Sequence, residues 1–393
     1  MANFGIGTLV RYAVAADHVF DGAALYGDCA VVIGGGDIAQ LVPRRELPRG
    51  LPVHELPPGA WLAPGFIDVQ VNGGGDVLFN DEPTPAGIAA IAAAHRRFGT
   101  TGLLPTLISD TREKMRAARA AVAQAMRSNP SVLGIHFEGP FLSPERPGVH
   151  DARMIRRPDA SDVELLTGSA DAVTLVTLAP EVVPAGLIAT LAGTGTKVSL
   201  GHSMATYAET RAALAEGLTG FTHIFNAMRP LASREPGPIA AALECENCWS
   251  GMIVDGVHVD PAMLRLALRG KSRPMLVTDA MPPVGGRRDA FMLGGHAIKA
   301  GPACCTRADG TLAGTALDMA TAVRNAVRLL QMPLTDALCA AAAEPARFLG
   351  LAHRLGHLAP GCRADMVALD ATDVRVLETW VAGRLGSESR LRG

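Results

Sequence analysis

The sequence predicts an α/β protein, a (β/α)8 TIM-like barrel with a small β-sandwich domain built from both chain termini. Three observations carry this. Short apolar, β-branched runs end in polar residues and are followed by Ala-rich helical stretches, and eight such runs can be found. The runs are continuously apolar rather than alternating, as expected of parallel strands covered on both faces. The two ends of the chain hold short β-like runs and no long helix.

Residues 1 to 60 contain apolar runs broken by Gly, Asp and Pro, and Gly34, Gly35 and Gly36 between two of them read as a hairpin turn. The barrel runs are Trp61 to Gln70, Gly102 to Ser109, Val132 to Glu138, Ala172 to Glu181, Lys197 to His202, Gly220 to Asn226, Gly251 to His258 and Pro274 to Asp279. Between them, Pro85 to Phe98, Arg112 to Arg127, Ala205 to Glu216 and Pro261 to Leu268 read as helices. Met366 to Leu369 and Arg375 to Val381 return to β patterning. The expected division is residues 1–60 and 356–393 for the β domain, with a barrel over 61–355. A doubly wound nucleotide-binding sheet would want G-x-G-x-x-G opening its first helix, and no run here is followed by one.

Composition excludes several classes. Of 393 residues, 36 are Lys or Arg and 38 Asp or Glu, a net charge of -2 that argues against a nucleic-acid binder. Aromatics are only 4%, too few for base-stacking platforms. Hydrophobic residues make up 48%, enough for a large core. No apolar stretch is long enough to span a membrane, and Met1 to Val10 lacks a secretory pattern. Seven cysteines suit a cytoplasmic chain with free thiols better than a disulfide framework, and the lone Cys245-x-x-Cys248 reads as incidental.

In such a barrel, chemistry gathers at the C-terminal ends of the strands. Those ends supply Gln70 and Asn72, Glu138, His202, His223, His258 and Asp279. A carboxylate with two imidazoles, Glu138, His202 and His223, suits a catalytic divalent metal with a position left for water. Asp279, ending the eighth run, can take a proton from that water and return it to a leaving group; a helix cap is the plainer role for it. His136, two residues before Glu138, either contacts the site or packs beside it, and His353 and His357 read as solvated.

At these residues the sequence resembles the N-acetylglucosamine-6-phosphate deacetylase family of the amidohydrolase superfamily. The segments that carry the likeness are PGFIDVQVNG (64–73), HFEGPFLSPERPGVH (136–150), TLAPE (177–181), GHSMAT (201–206), THIFNAM (222–228), SREPG (233–237), DGVHVD (255–260), LVTDAM (276–281) and GTLAG (310–314). The resemblance implies Glu138, His202 and His223 as metal ligands, Asp279 as acid/base, and His150 as the group that polarises the acetyl carbonyl. It implies substrate contacts from Val149, His150, Asn226, Ala227, Arg234, Asp255, His258, Leu317, Asp318 and Met319. Asp318 stands where many relatives carry Thr or Ser, placing a negative charge near an anionic ligand. Arg234 is expected to reach the neighbouring site of a homodimer. Many amidohydrolases carry H-x-H where this chain has Gln70-Val71-Asn72, and neutral amides are poor zinc ligands. One divalent metal per subunit, zinc first, is therefore expected. The implied substrate is a small amino-sugar phosphate in the cytoplasm, its galactosamine epimer being the alternative, with no nucleic acid or membrane partner. A barrel that only binds the sugar phosphate is the remaining reading.

Overall fold

The computed structural model describes residues 11–168 and 172–386. The segment 1–10, read above for a targeting signal, lies outside the described residues.

Eight parallel strands follow one another around the barrel in chain order: Phe66–Val71, Thr100–Ile108, Gly134–Glu138, Val173–Leu178, Lys197–Leu200, Gly220–Phe221, Trp249–Met252 and Arg273–Leu276. Closure is made beyond the last strand. Asp279 N–H donates to the Gln70 carbonyl at 3.1 Å, and Asn72 and Gly73 donate to the Ala280 carbonyl at 3.0 and 2.9 Å. The first and eighth strands are thus joined at the residues that carry the polar side chains.

The expected helices form, for local reasons. Thr84 accepts from Gly87 N–H to cap Pro85–Arg96, whose Pro sits at the first turn. Thr111 caps Arg112–Met126, Thr206 and Glu209 make a capping box for Tyr207–Ala215, and Asp260 caps Pro261–Ala267. Their buried faces (Ile88, Ile91, Met115, Val122, Leu264) join the strand side chains in one barrel core.

Both termini build one eight-stranded sheet, ordered Arg384–Leu385, Arg375–Val381, Met366–Asp370, Ala60–Pro64, Arg11–Phe20, Leu25–Gly34, Asp37–Pro43, with Val53–Glu55 also pairing Arg11–Phe20. Val14 and Ala16 point to one core and Ala13 and Ala15 to the other, as the strand period of two requires. Gly35 and Gly36 turn the hairpin with positive φ of 67° and 92°.

Several boundaries differ from expectation. The run Trp61 to Gln70 is two strands, Ala60–Pro64 in the terminal sheet and Phe66–Val71 in the barrel. Gly65 divides them, and a Cβ there would fall 2.2 Å from Thr101 Cγ2. The sixth strand stops at Phe221 because His223, Phe225 and Ala227 turn with φ of 32°, 77° and 48°. The seventh is Trp249–Met252 rather than Gly251 to His258, since Asp255 Oδ1 accepts Val257 and His258 N–H in a tight turn. A four-stranded antiparallel sheet not foreseen from the sequence (Ala290–Leu293, His296–Ala300, Cys304–Thr306, Leu312–Thr315) is inserted after the eighth strand.

Cys245 and Cys248 are disulfide-bonded, against the expectation of incidental thiols. The turn from the end of helix Gly237–Glu244 into Trp249 holds their Cα atoms 5.6 Å apart, within reach of a bridge. His357 is half-buried, where solvation was expected. No helix among the described residues is long and apolar enough to cross a membrane.

Candidate active site

Glu138 ends the third strand, and His202 and His223 each lie two residues past the ends of the fifth and sixth. His202 (φ 49°), His223 (φ 32°) and Asp279 (φ 51°) all adopt left-handed backbone that non-glycine residues avoid. Such strain marks positions held by their surroundings, and here it turns three side chains inward. Glu138 Oε1 lies 3.1 Å from His202 Nε2 and 2.9 Å from His223 Nε2, and the two Nε2 atoms are 3.1 Å apart. All three residues are buried, and their ligand atoms fall within 4.8 Å of one another.

The protons decide what this cluster can hold. His202 Nδ1 faces the Arg146 carbonyl at 2.9 Å, so that nitrogen carries the proton. In neutral His202 the Nε2 lone pair then points at the carboxylate, acceptor against acceptor. A cation between them resolves the conflict, and the second hydrogen bond on Nδ1 is the usual partner of a ligating imidazole. The donor set therefore fits a divalent metal.

Asp279 stands beside this group. Its Oδ1 accepts from Asn72 Nδ2 at 2.6 Å and Gln70 Nε2 at 3.3 Å, while Gln70 Nε2 also reaches both Glu138 oxygens at 3.2 Å. The two amides thus act as donors that separate the two carboxylates. Burial, then the Glu138 charge, pushes the Asp279 carboxyl up to about 6.

His150 is buried, its ring 4.5 Å from that of His202. Ser109 N–H donates to His150 Nδ1 at 3.2 Å, and Ser109 Oγ lies 2.8 Å from the same nitrogen. Nδ1 is therefore the acceptor and Nε2 carries the proton. Burial, and then neighbouring His202, lowers its pKa to about 3, so the ring is neutral at pH 7.

His258 Nδ1 is 2.6 Å from Asp255 Oδ2, and Asp255 Oδ1 takes two backbone N–H groups. With both oxygens engaged, Asp255 orients His258. Asn226 N–H donates to the His223 carbonyl at 2.9 Å, and the Ala227 carbonyl accepts from Ser203 N–H at 3.0 Å, which fixes the loop after His223. Arg234 is exposed. Leu317 and Met319 are buried, Val149 is half-buried, and Asp318 caps the helix Met319–Leu330, its two oxygens each 2.8 Å from Thr321 N and Oγ1. His136 bridges Thr177 Oγ1 (2.8 Å) and Thr106 Oγ1 (3.2 Å) inside the barrel, a packing position. Sequence reasoning missed Ser109, whose role lies in a backbone N–H that no motif reports.

A model of the amidohydrolase family matches residues 61–386, and the chain belongs to that family. It is 42% identical over 363 residues to the N-acetylgalactosamine-6-phosphate deacetylase of Shewanella sp. (strain ANA-3), covering 91% of each chain. It is 32% identical to the N-acetylglucosamine-6-phosphate deacetylase of Haemophilus influenzae, over 95% of this chain and 99% of the relative. Among solved structures, N-acetylglucosamine-6-phosphate deacetylase from Pasteurella multocida superposes with a TM-score of 0.92 at 34% identity, over 96% of this chain and 99% of that one.

Proposed function

We propose that this chain hydrolyses the acetamide of N-acetylglucosamine 6-phosphate to glucosamine 6-phosphate and acetate. The observation that carries the reading is the convergence of Glu138 Oε1, His202 Nε2 and His223 Nε2 beside the raised carboxyl of Asp279. The named relatives support the substrate class.

Glu138, His202 and His223 would hold one divalent metal, zinc first, which when bound acts as a Lewis acid and lowers the pKa of water toward about 7. Gln70 and Asn72 turn their NH2 groups to Glu138 and Asp279, and neutral amides are poor zinc ligands, which supports one metal rather than two. Asp279 takes the proton of the attacking water and returns it to the sugar nitrogen, since an amine leaves far more readily than an amide anion. Neutral His150 donates Nε2–H to the acetyl oxygen as negative charge develops there. His258, oriented by Asp255, adds a donor toward the sugar phosphate, with Asn226, Ala227, Val149, Leu317 and Met319 as the further substrate contacts. Asp318, bound up in its helix cap, contributes through the start of that helix. We further propose a homodimer in which Arg234, exposed in the single chain, reaches the neighbouring phosphate as a planar two-pronged donor. We further propose a cytoplasmic setting, with five free cysteines beside the single Cys245–Cys248 bridge among the described residues.

A second reading, the galactosamine epimer, is favoured by the 42% identity to a relative bearing that name. Acetate release from the two 6-phosphates, compared as kcat/KM, decides between them. A preference for the glucosamine epimer is the expected result, and release from neither overturns both.

A further inference from the structure

The inserted sheet has no part in the reaction as described, yet it packs on the segment that carries His150. Its core residues Leu293, Ile298, Cys305 and Ala313 gather with Ile108 and Met281, and Val149 packs against them. Ile108 immediately precedes Ser109, the residue whose N–H sets the His150 tautomer. Arg307, in the turn between Cys304–Thr306 and Leu312–Thr315, sends Nη2 to the Val149 carbonyl at 3.1 Å. That carbonyl belongs to the peptide bond leading directly into His150. The Arg307 backbone is itself fixed: its N–H donates to the Thr311 carbonyl at 2.9 Å and its carbonyl accepts from Gly310 N–H at 3.0 Å.

We propose that Arg307 is a positioning residue for His150, through which the inserted sheet sets the angle at which His150 Nε2–H meets the acetyl oxygen. The imidazole is gripped at Nδ1 by Ser109 and its backbone at the preceding carbonyl by Arg307. A charged donor to a carbonyl is a strong hydrogen bond, and displacement of a catalytic group by about 1 Å can cost about 100-fold in rate. The inference rests on His150 acting as described under the proposed function.

A double-mutant cycle tests it. Arg307→Met in the native background is expected to lower kcat/KM by about 10- to 100-fold, with bound metal per chain unchanged. In a His150→Asn background the same change is expected to cost less than about 3-fold, because the group that Arg307 positions is gone. Arg307→Lys, which keeps a cationic donor, is expected to recover part of the loss and guards against misfolding of the Met variant. Equal losses in both backgrounds, with His150→Asn itself defective, overturn the role of Arg307 alone, as does a Lys variant as poor as Met. Full turnover in His150→Asn overturns the assignment of His150 and the inference with it.

Discussion

Replacing Asp279 by asparagine changes one heavy atom in the site and removes a half-buried negative charge. In the native chain Oδ1 is fixed by Asn72 Nδ2 at 2.6 Å and Gln70 Nε2 at 3.3 Å. Asparagine can offer its carbonyl oxygen to the same two donors, which leaves its NH2 facing the reacting water. That group cannot accept a proton, so turnover loses the general acid–base contribution of about 10²–10⁴-fold, equivalent to about 3–5 kcal/mol of barrier. Stability is expected to hold, because the asparagine oxygen keeps the hydrogen bonds from Asn72 and Gln70. Acetate release gives kcat, calorimetry with substrate gives affinity, and thermal unfolding gives stability. The expected pattern is a kcat loss of at least about 100-fold, with substrate affinity and melting temperature retained. A variant within about 10-fold of native turnover refutes the role given to Asp279.

Other consequences follow from the same geometry. Because Asp279 must be ionised to accept a proton and has a carboxyl raised to about 6, kcat/KM should fall with pH along an acid limb at or below about 6, a bound cation moving it downward; a pH profile flat through that region contradicts this. Asp255→Ala strips the partners of His258 Nδ1 and of two backbone N–H groups, so KM should rise by about 10-fold or more with little change in bound metal. Asp162, fully buried, accepts from Arg112 Nε at 2.9 Å and Arg156 Nη2 at 2.7 Å. Burial would raise its carboxyl, but Arg156 and Arg112 hold it well below the usual range. Asp162→Asn should therefore lose about 1–2 kcal/mol near neutral pH, less than for a fully buried pair because both arginines stay partly solvated. A depressed carboxyl stabilises above the unfolded pKa of about 4 and loses that stabilisation as pH falls through its folded value, so the gap between native and variant should narrow in acid, read by urea unfolding.

The candidate ligand set was legible because parallel barrel strands are read as continuous apolar runs, and the first polar residues past them fall where the fold concentrates chemistry. Glu138, His202 and His223 needed no local spacing, only strand ends. The runs around His223 and His258 misled for one reason: apolar residues continue past the last ladder pair, and only left-handed φ at His223 and the Asp255 turn end the strands. Ser109 and Arg307 were beyond reach, since each acts on a residue distant in sequence through a main-chain group. Cys245 and Cys248 were misread because oxidation depends on the turn that brings them together, which composition does not report.

Metal content, measured on the purified chain and on a His202→Ala, His223→Ala variant, tests the centre of the account. The geometry predicts about one equivalent of tightly held divalent ion per native chain and loss of that ion, with turnover, from a variant that still folds. Two firmly bound equivalents in the native chain, or one retained without both imidazoles, would contradict it.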